Sequence, residues 1–424
     1  MEVRSKILFA FLFLSQLGLA ACSQKTSDSV FKEKSNYQSL ENYVCNSQAL
    51  MQNQFLVDWE DGSFSIENAE NADQFTENFI KPNLDKIRHV EFDKVIRVFD
   101  NVSASTSEID TQAFDDWGQT MVNAAAAWNQ NVYGQGVNVA VVDAAVDYSH
   151  VQLNPRLAKN LSELNGVAGV DDDGNGYVDD VYGWDVAGDR PTPPVSSGNI
   201  HGSHVAGIIL ADHSKGPIKG LAPKANLVPV NFMDSGGGGT IGAAIVAIKY
   251  AASRNVKVIN ASWGGPVCSE SLRSAITQVG AQGILFVAAS GNEYIDYDNS
   301  SDYMFPAIFN LTNQITVAAT TSNNYLTDFS NRSFSVVHIG APGAGILSTV
   351  PGGQTLLDGT SMAAPFVSGA AALLWSDRPT ATVAQIKNAI LSTADVIPGK
   401  EYKVSTRGRL NVQKALDKIR TLVP

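Results

Sequence analysis

The sequence predicts a three-layer α/β fold in which a mostly parallel sheet is flanked by helices. From residue 117 onward, short apolar runs of strand length alternate with stretches whose apolar residues recur at helical spacing. Neighbouring parallel strands need a crossover connection, which a helix commonly supplies. Because the strands are apolar throughout, helices should cover both faces of the sheet. This unit is expected over residues 117–424, and a small α+β domain over residues 51–110 precedes it.

The predicted elements of the larger unit follow in chain order. Its strands are expected at residues 137–142, 226–232, 256–263, 284–289 and 315–319. Helical spacing over residues 239–254 and 269–282 supplies two of the crossovers. In such sheets the functional groups gather at the carboxyl ends of the strands, so candidate residues are sought there.

The smaller domain is predicted from weaker patterns. Residues 54–59 are typical of a strand, residues 71–87 of a helix interrupted at Pro82, and residues 89–99 of one or two strands. A unit of roughly 50 residues is marginal for independent stability.

The first residues indicate export. Residues 1–21 combine a basic start with an apolar core over residues 7–14, and the segment Leu-Ala-Ala-Cys ending at Cys22 resembles the lipobox of bacterial lipoproteins. Cys22 would then be lipidated, which predicts a membrane-anchored lipoprotein of the cell envelope; an ordinary secretory signal and a secreted protein are the alternative. The polar residues 22–50 suit a flexible tether.

Composition excludes two classes of protein. The 424 residues carry 30 Lys and Arg against 42 Asp and Glu, a net charge of −12, so no nucleic-acid partner is expected. Three cysteines are too few for a disulfide scaffold. With Cys22 acylated, Cys45 and Cys268 remain, and their spacing leaves pairing open.

Three positions are candidates for catalysis. Asp143 directly follows the first strand of the sheet, although an Asp there is typical of a cap or turn. His201 is at the start of a predicted helix that is rich in small residues. His204 follows three residues later, so the two histidines could bind a metal together, but no third ligand is evident. Ser361 lies in the first turn of a predicted buried helix, where unpaired N–H groups stabilise an oxyanion; a plain N-cap is the alternative.

The three positions lie within blocks that resemble those of the subtilisin-like serine proteases, the subtilases. The blocks are Val-Val-Asp at residues 141–143, His-Gly-Ser-His-Val-Ala-Gly at 201–207 and Gly-Thr-Ser-Met-Ala-Ala-Pro at 359–365. Their order along the chain, Asp then His then Ser, is the subtilisin order.

The resemblance implies a serine endopeptidase that hydrolyses peptide bonds through an acyl-enzyme. Ser361 would be the nucleophile, His201 the general base, Asp143 the carboxylate that orients the imidazole, and Asn292 a donor to the oxyanion. The chain departs from the family at residues 144–145, where two alanines replace a hydroxyl residue and a glycine. The alternatives are therefore a catalytically weak or inactive binding protein on the same fold, or a structural protein.

The resemblance also implies a cleft for a polypeptide substrate. One wall would be a strand that pairs with the peptide, and the other would complete the P1 pocket. These segments comprise Ser262, Trp263, Gly264 and Gly265, and Ala289, Ser290 and Gly291. Neither carries a charge, which predicts an uncharged, apolar P1 side chain. Residues 234–239 are a candidate for a further, flexible wall.

An acidic segment between the Asp and His blocks predicts a structural calcium site. Its oxygen-bearing residues recur in the manner of the first part of an EF-hand loop, and they are Asp171, Asp173, Asn175, Tyr177 and Asp179. Position twelve is Tyr182 instead of Glu, so an EF-hand proper is not implied. Subtilases often bind calcium at a similar insertion; a solvated acidic loop is the alternative.

Subtilases commonly carry a propeptide that assists folding and then inhibits the enzyme. The resemblance therefore implies that residues 51–110 are such a domain, with its last strand in the cleft. The cut that removes it is expected between residues 100 and 116.

Overall fold

The computed structural model describes residues 50–99, 116–191, 199–397 and 402–424, with Leu50 and Gln52 described by their backbone only. The predicted signal segment, Cys22, Cys45 and nearly all of the predicted tether lie outside the described residues. Among the described residues, no helix is long and apolar enough to cross a membrane.

The small domain consists of an antiparallel sheet and a short helical segment. Its three strands are β1 (Leu50–Trp59), β2 (Phe64–Asn68) and β3 (Ile87–Val98), and β1 pairs with both others. The helical segment comprises α1 (Ala72–Phe75), a π-helical turn (Thr76–Ile80) and α2 (Lys81–Asn83).

One expectation for this domain needs correction. The helix is not interrupted at Pro82, because the irregularity lies in the π-helical turn just before it, where Lys81 N–H bonds to Thr76 O. A proline lacks an N–H and crowds the preceding turn, and the wider turn accommodates this. Residues 87–98 form a single strand. The helical segment packs on the sheet through stacked Phe55 and Phe75 rings, whose centroids are 4.0 Å apart.

The larger unit has the predicted alternation of strands and helices. Its helices are α3 (Trp117–Met121), α4 (Ala125–Trp128), α5 (Leu161–Asn165), α6 (His201–Leu210), α7 (Ile241–Ser253), α8 (Glu270–Ala281), α9 (Thr360–Asp377), α10 (Val383–Leu391) and α11 (Val412–Leu422). Its strands are β4 (Asn138–Asp143), β5 (Trp184–Asp185), β6 (Arg190–Pro191), β7 (Asn226–Asn231), β8 (Gly238–Thr240), β9 (Val258–Ala261), β10 (Trp263–Gly264), β11 (Leu285–Ala289), β12 (Gln314–Thr320), β13 (Ile339–Pro342), β14 (Ile346–Val350), β15 (Gly353–Leu357), β16 (Asp395–Val396) and β17 (Gly408–Arg409).

Ten of these strands form one sheet with the order β16-β17-β13-β12-β11-β9-β4-β7-β5-β6. The pairs from β13 through β7 are parallel. Alternate residues of β4 point to opposite faces: Val139 and Val141 join the apolar cluster of α6 and α9, whereas Ala140 and Val142 join that of α7 and α8. Helices therefore cover both faces, and the three-layer prediction is confirmed.

The small domain is joined to the larger unit through β3. This strand pairs antiparallel with β1 on one side, and its second half pairs with both β8 and β10 of the larger unit. The carboxyl end of β3 is thereby directed toward the carboxyl ends of the parallel strands, where the candidate residues lie.

Candidate active site

Asp143 and His201 are in direct contact. Asp143 ends β4 and His201 begins α6, and His201 Nδ1 lies 2.7 Å from Asp143 Oδ1. Asp143 Oδ1 also accepts from Ala144 N at 2.7 Å, which fixes the carboxylate. The close approach of α6 requires a glycine at 202, because a Cβ there would lie 2.3 Å from Ala144 O.

The second carboxylate oxygen of Asp143, Oδ2, is the atom affected by the alanines at residues 144–145. Asp143 Oδ2 is buried and has no hydrogen-bond partner within the described part of the chain. A hydroxyl at position 144 would be the nearest side-chain donor in sequence, and Ala144 has none. Strain at Ala145 does not arise, since Ala145 is not among the non-glycine residues with positive φ.

Ser361 lies in the first turn of α9 and is 1% exposed. Its Oγ donates to Ser262 O at 3.0 Å, and Ser262 Oγ donates back to Ser361 O at 2.9 Å. His201 Nε2 is buried without a partner among the described residues. The Ser361 hydroxyl thus donates to the carbonyl of Ser262 and not to the imidazole of His201. The Ser262 side chain holds the backbone of Ser361 and does not line a pocket.

Two further residues support this serine, and motif reasoning missed both. Asn260 Nδ2 donates to Ser262 Oγ at 3.0 Å, and Ser368 Oγ donates to Asn260 Oδ1 at 2.8 Å. The signal in the sequence was an amide and a hydroxyl inside otherwise apolar buried segments, where polar groups need partners.

Asn292 is held so that its amide nitrogen faces the end of β3. Its Oδ1 accepts from the backbone N and the hydroxyl of Thr360, both at 2.9 Å. Its Nδ2 donates to Phe99 O at 3.2 Å. A Cβ on Gly359 would lie 3.4 Å from Asn292 Nδ2 and 3.5 Å from Ser361 N, so both nitrogens lie close to the same point.

The strand β3 lies between two edges of the larger unit. Val98 is opposite Trp263 and Arg97 is opposite Gly264 on β10. On the other side, residues 95–97 pair with β8, and Val98 N donates to Gly237 O at 3.0 Å. The predicted further wall at residues 234–239 therefore includes a short strand, β8.

The ring of Phe99 packs against Gly264. A Cβ on Gly264 would lie 2.5 Å from Phe99 Cζ, so only a glycine leaves room for the ring. Phe99 is 6% exposed and shares its buried apolar cluster with Ala289. An aromatic side chain is therefore buried against Gly264, next to the carbonyl that contacts Asn292.

A family model described as the Subtilase family matches residues 134–417. The chain belongs to the subtilase family. It is 36% identical over 300 residues to Subtilisin E of Bacillus subtilis (strain 168), covering 70% of each chain. It is also 36% identical over 303 residues to Thermitase of Thermoactinomyces vulgaris, covering 71% of this chain and 95% of that protein. The chain is accordingly a subtilisin-like serine endopeptidase.

Several candidate residues of this subtilase act through the backbone or in the core. The Trp263 indole is fully buried, donates to Val142 O at 2.7 Å and packs on Phe232, so only its backbone reaches β3. Gly265 pairs with Phe305 through two backbone hydrogen bonds. Trp263 was expected in a strand that pairs with the peptide main chain, and its buried ring leaves that role to its backbone.

The other predicted wall is held by hydrogen bonds. Ser290 Oγ donates to Asn331 O at 3.0 Å, so its hydroxyl is already hydrogen-bonded within the protein. Gly291 N donates to Thr360 Oγ1 at 3.1 Å, and its φ of +102° favours glycine. These contacts fix the segment that leads from β11 to Asn292.

His204 does not share a site with His201. Its Nε2 bonds to the carbonyls of Ile346 and Thr355 at 3.0 and 3.1 Å. Burial lowers the pKa of His204 to about 3, so the ring is neutral. His204 therefore ties α6 to the β14–β15 hairpin.

The acidic segment of this subtilase forms a loop of carboxylates and turns. Glu163, Asp171 and Asp173 each place an oxygen within 4.8 Å of the others. Glu163, which sequence reasoning missed, is buried and accepts from Asp172 N and Asp179 N. Asp171 accepts backbone N–H groups of the turn, first among them Gly176, and these lower its pKa.

The remaining residues of the predicted calcium set are not equivalent. Asn175 accepts from Tyr177 N at 2.8 Å, and the Tyr177 ring packs edge-on against Trp184, away from the carboxylates. Asp179 Oδ2 accepts from Gly169 N. The Tyr177 ring is therefore part of the aromatic packing next to the loop.

Proposed function

We propose that this subtilase hydrolyses peptide bonds with Ser361 as nucleophile, His201 as general base, Asp143 as orienting carboxylate and Asn292 as oxyanion donor. The observation that carries the proposal is the contact of Asn292 Nδ2 with Phe99 O, at the end of a strand held between two edges. A peptide carbonyl thus already lies against a donor, beside the first turn of α9.

The first step begins from the hydrogen bond that the Ser361 hydroxyl makes in the structure. In that step the Ser361 O–H leaves Ser262 O and donates to His201 Nε2. The imidazole takes the proton as Oγ attacks the carbonyl carbon, and Asp143 stabilises the cation through Nδ1–H. Asn292 Nδ2 and Ser361 N then donate to the developing oxyanion. His201 finally gives the proton to the leaving amine.

The small domain serves as the enzyme's own propeptide. Besides β3, it contributes carboxylates that meet the N-termini of two helices of the larger unit. Glu91 Oε1 accepts from Ser269 Oγ at 2.5 Å and Ser271 N at 3.1 Å, at the start of α8. Asp93 Oδ1 accepts from Gly242 N at 2.9 Å, at the start of α7. Helix N-termini attract anions, so the contact of Glu91 favours docking.

The bond that is cut in maturation follows Phe99. The carbonyl on Asn292 belongs to Phe99, so the scissile bond joins Phe99 to Asp100, one residue before the range expected from the sequence. The Phe99 ring against Gly264 also indicates a preference for a large apolar or aromatic P1 side chain, consistent with the uncharged walls.

Calcium is proposed at the acidic loop. Glu163, Asp171 and Asp173 would supply carboxylate oxygens, with the side-chain oxygen of Asn175 and the Tyr177 carbonyl as neutral ligands. These are the hard oxygen donors that Ca²⁺ prefers. Bound calcium would offset the repulsion among the carboxylates and stabilise the loop.

Export and anchoring remain proposals drawn from residues 1–22. The basic start, the apolar core and Cys22 support a lipidated protein held in the cell envelope. Mass spectrometry of the processed N-terminus would detect the acyl groups on Cys22.

The deciding experiment compares the full-length protein with Ser361→Ala. The wild type should label with a fluorophosphonate, degrade denatured casein and yield a new N-terminus at Asp100, whereas the variant should do none of these. A wild type that neither labels nor cleaves would instead support the inactive binding protein. Equal activity of both proteins would exclude Ser361 as the nucleophile.

A further inference from the structure

Cys268 is disulfide-bonded. The chain has only two other cysteines, Cys22 and Cys45, and both precede the proposed cut after Phe99. Within a single chain, the bond therefore joins the catalytic unit to the segment on the other side of the cleavage site.

Contacts of the described residues indicate which cysteine is the partner. Lys94 Nζ donates to the carbonyl oxygen of Cys268 at 2.7 Å. Lys94 lies directly opposite Leu50 in the β1–β3 pairing. The chain therefore enters the small domain one strand spacing, ~4.8 Å, from the residue whose side chain reaches Cys268.

Chain length then favours Cys45. Cys45 is five residues before Leu50, a stretch that spans at most ~17 Å when extended, and a disulfide needs its two Cα atoms only ~6 Å apart. Cys22 would have to close a longer loop, at greater entropic cost. If Cys22 is acylated, its sulfur is a thioether and has no thiol to oxidise.

We propose that Cys45 and Cys268 form a disulfide that keeps the propeptide attached to the enzyme after the Phe99–Asp100 bond is cut. The inference rests on the proposed cleavage. Hydrolysis adds one water across the peptide bond and leaves the S–S bond intact, so the product is two chains in one covalent molecule. An exported protein meets an oxidising compartment, in which such a bond persists.

The bond changes how the enzyme is released from its inhibitor. A tethered domain rebinds at an effective concentration of the order of mM, and dilution does not lower it. Separation then requires two thiols, which are oxidised to a disulfide as Cys45 and Cys268 are reduced. Any anchor on Cys22 also stays with the enzyme until that reduction.

The first test maps the bond without relying on cleavage. Ser361→Ala full-length protein is alkylated without reductant and digested with trypsin. We expect residues 35–86 and 258–273 as one linked peptide pair that reductant separates. Linkage of residues 258–273 to the peptide of Cys22, linkage to a second copy of the chain, or an alkylated Cys268 would each overturn the proposal.

The second test follows the cleaved wild type on denaturing gels. We expect one band of full-length mass without reductant and two bands with it, whereas Cys45→Ser should give two bands in both conditions and the matched Cys22→Ser should behave like the wild type. A wild type that separates without reductant would overturn the tether and leave the cleavage intact. A single band in both conditions would refute the cleavage, and the peptide map would still decide the disulfide.

Discussion

The unpaired oxygen of Asp143 predicts that a hydroxyl at position 144 will improve this enzyme. Asp143 is fully buried, and Oδ1 accepts two hydrogen bonds at 2.7 Å while Oδ2 accepts none from the described residues. Ala144→Thr offers Oδ2 a donor. A hydrogen bond to a charged group contributes about 1.5–3 kcal/mol. Ala144 is 1% exposed, so the added atoms also crowd the core, at a cost of about 1–3 kcal/mol.

A matched variant separates the two effects. Ala144→Val adds nearly the same volume without a hydroxyl, so the difference between the Thr and Val proteins isolates the hydrogen bond. We expect the Thr variant to exceed the Val variant by about 1–2 kcal/mol in free energy of unfolding. A better-held imidazole should also raise kcat/KM by roughly tenfold, since 1.36 kcal/mol off the barrier is a factor of ten.

The assay uses two backgrounds. Stability is measured by urea unfolding in Ser361→Ala protein, in which self-digestion cannot interfere, and kcat/KM is measured in the active protein on a peptide substrate with Phe at P1. Equal values for the Thr and Val variants in both measurements would refute the reasoning, because they would show that Oδ2 gains nothing from a donor at 144.

Three further predictions follow from the same structure. Asn292→Ala should lower kcat by about 10²–10³-fold with little change in KM, a figure established on a subtilisin, and a loss below threefold would remove Asn292 from the oxyanion site. Burial raises the pKa of Asp93, so the Asp93 carboxyl is more readily protonated in the folded protein than in the unfolded chain. The stability that Asp93 contributes is therefore present at low pH and is lost as pH rises through the raised pKa. Asp93→Asn keeps an acceptor for Gly242 N, and it should flatten this loss as pH rises above the ordinary pKa of an aspartate, ~3.9, in denaturation of Ser361→Ala protein; an unchanged pH profile would contradict the assignment. Calcium at 100 times its Kd should raise Tm by roughly 5–10 °C, and Asp171→Asn together with Asp173→Asn should abolish the increase, whereas the matched Asp189→Asn outside the cluster should retain it.

The layers and the contact between Asp143 and His201 were predictable because both depend on local patterns. The strands of the sheet begin and end within about two residues of the apolar runs, since a strand buried on both faces must be apolar throughout. Asp143, His201 and Ser361 could be found because each begins or ends an element whose pattern is strong. Elements without such a pattern, such as β13 and the β14–β15 hairpin, were missed.

Residues that act through distant contacts could not be found in this way. Asn260 and Ser368 are 108 positions apart and meet only because α9 packs over β9. Glu163 joins Asp171 and Asp173 because α5 folds back onto the acidic loop. No periodicity encodes such a meeting, and the only sign in the sequence is a polar side chain in a place that will be buried.

The strand β3 both completes the sheet of the small domain and pairs with the larger unit. Its first half pairs with β1 and belongs to the small domain, and its second half completes the cleft between β8 and β10. Glu91 and Asp93 lie on this strand, and although burial opposes ionisation of Glu91, Lys94 holds the pKa of that carboxyl below its usual value. A charged Glu91 at the start of α8 fixes the position of β3 along its axis, and that position determines which carbonyl meets Asn292. A shift by one residue would place Val98 there and remove the Phe99 ring from Gly264. Glu91 therefore also determines which carbonyl Asn292 contacts, and with it the bond that we propose is cut.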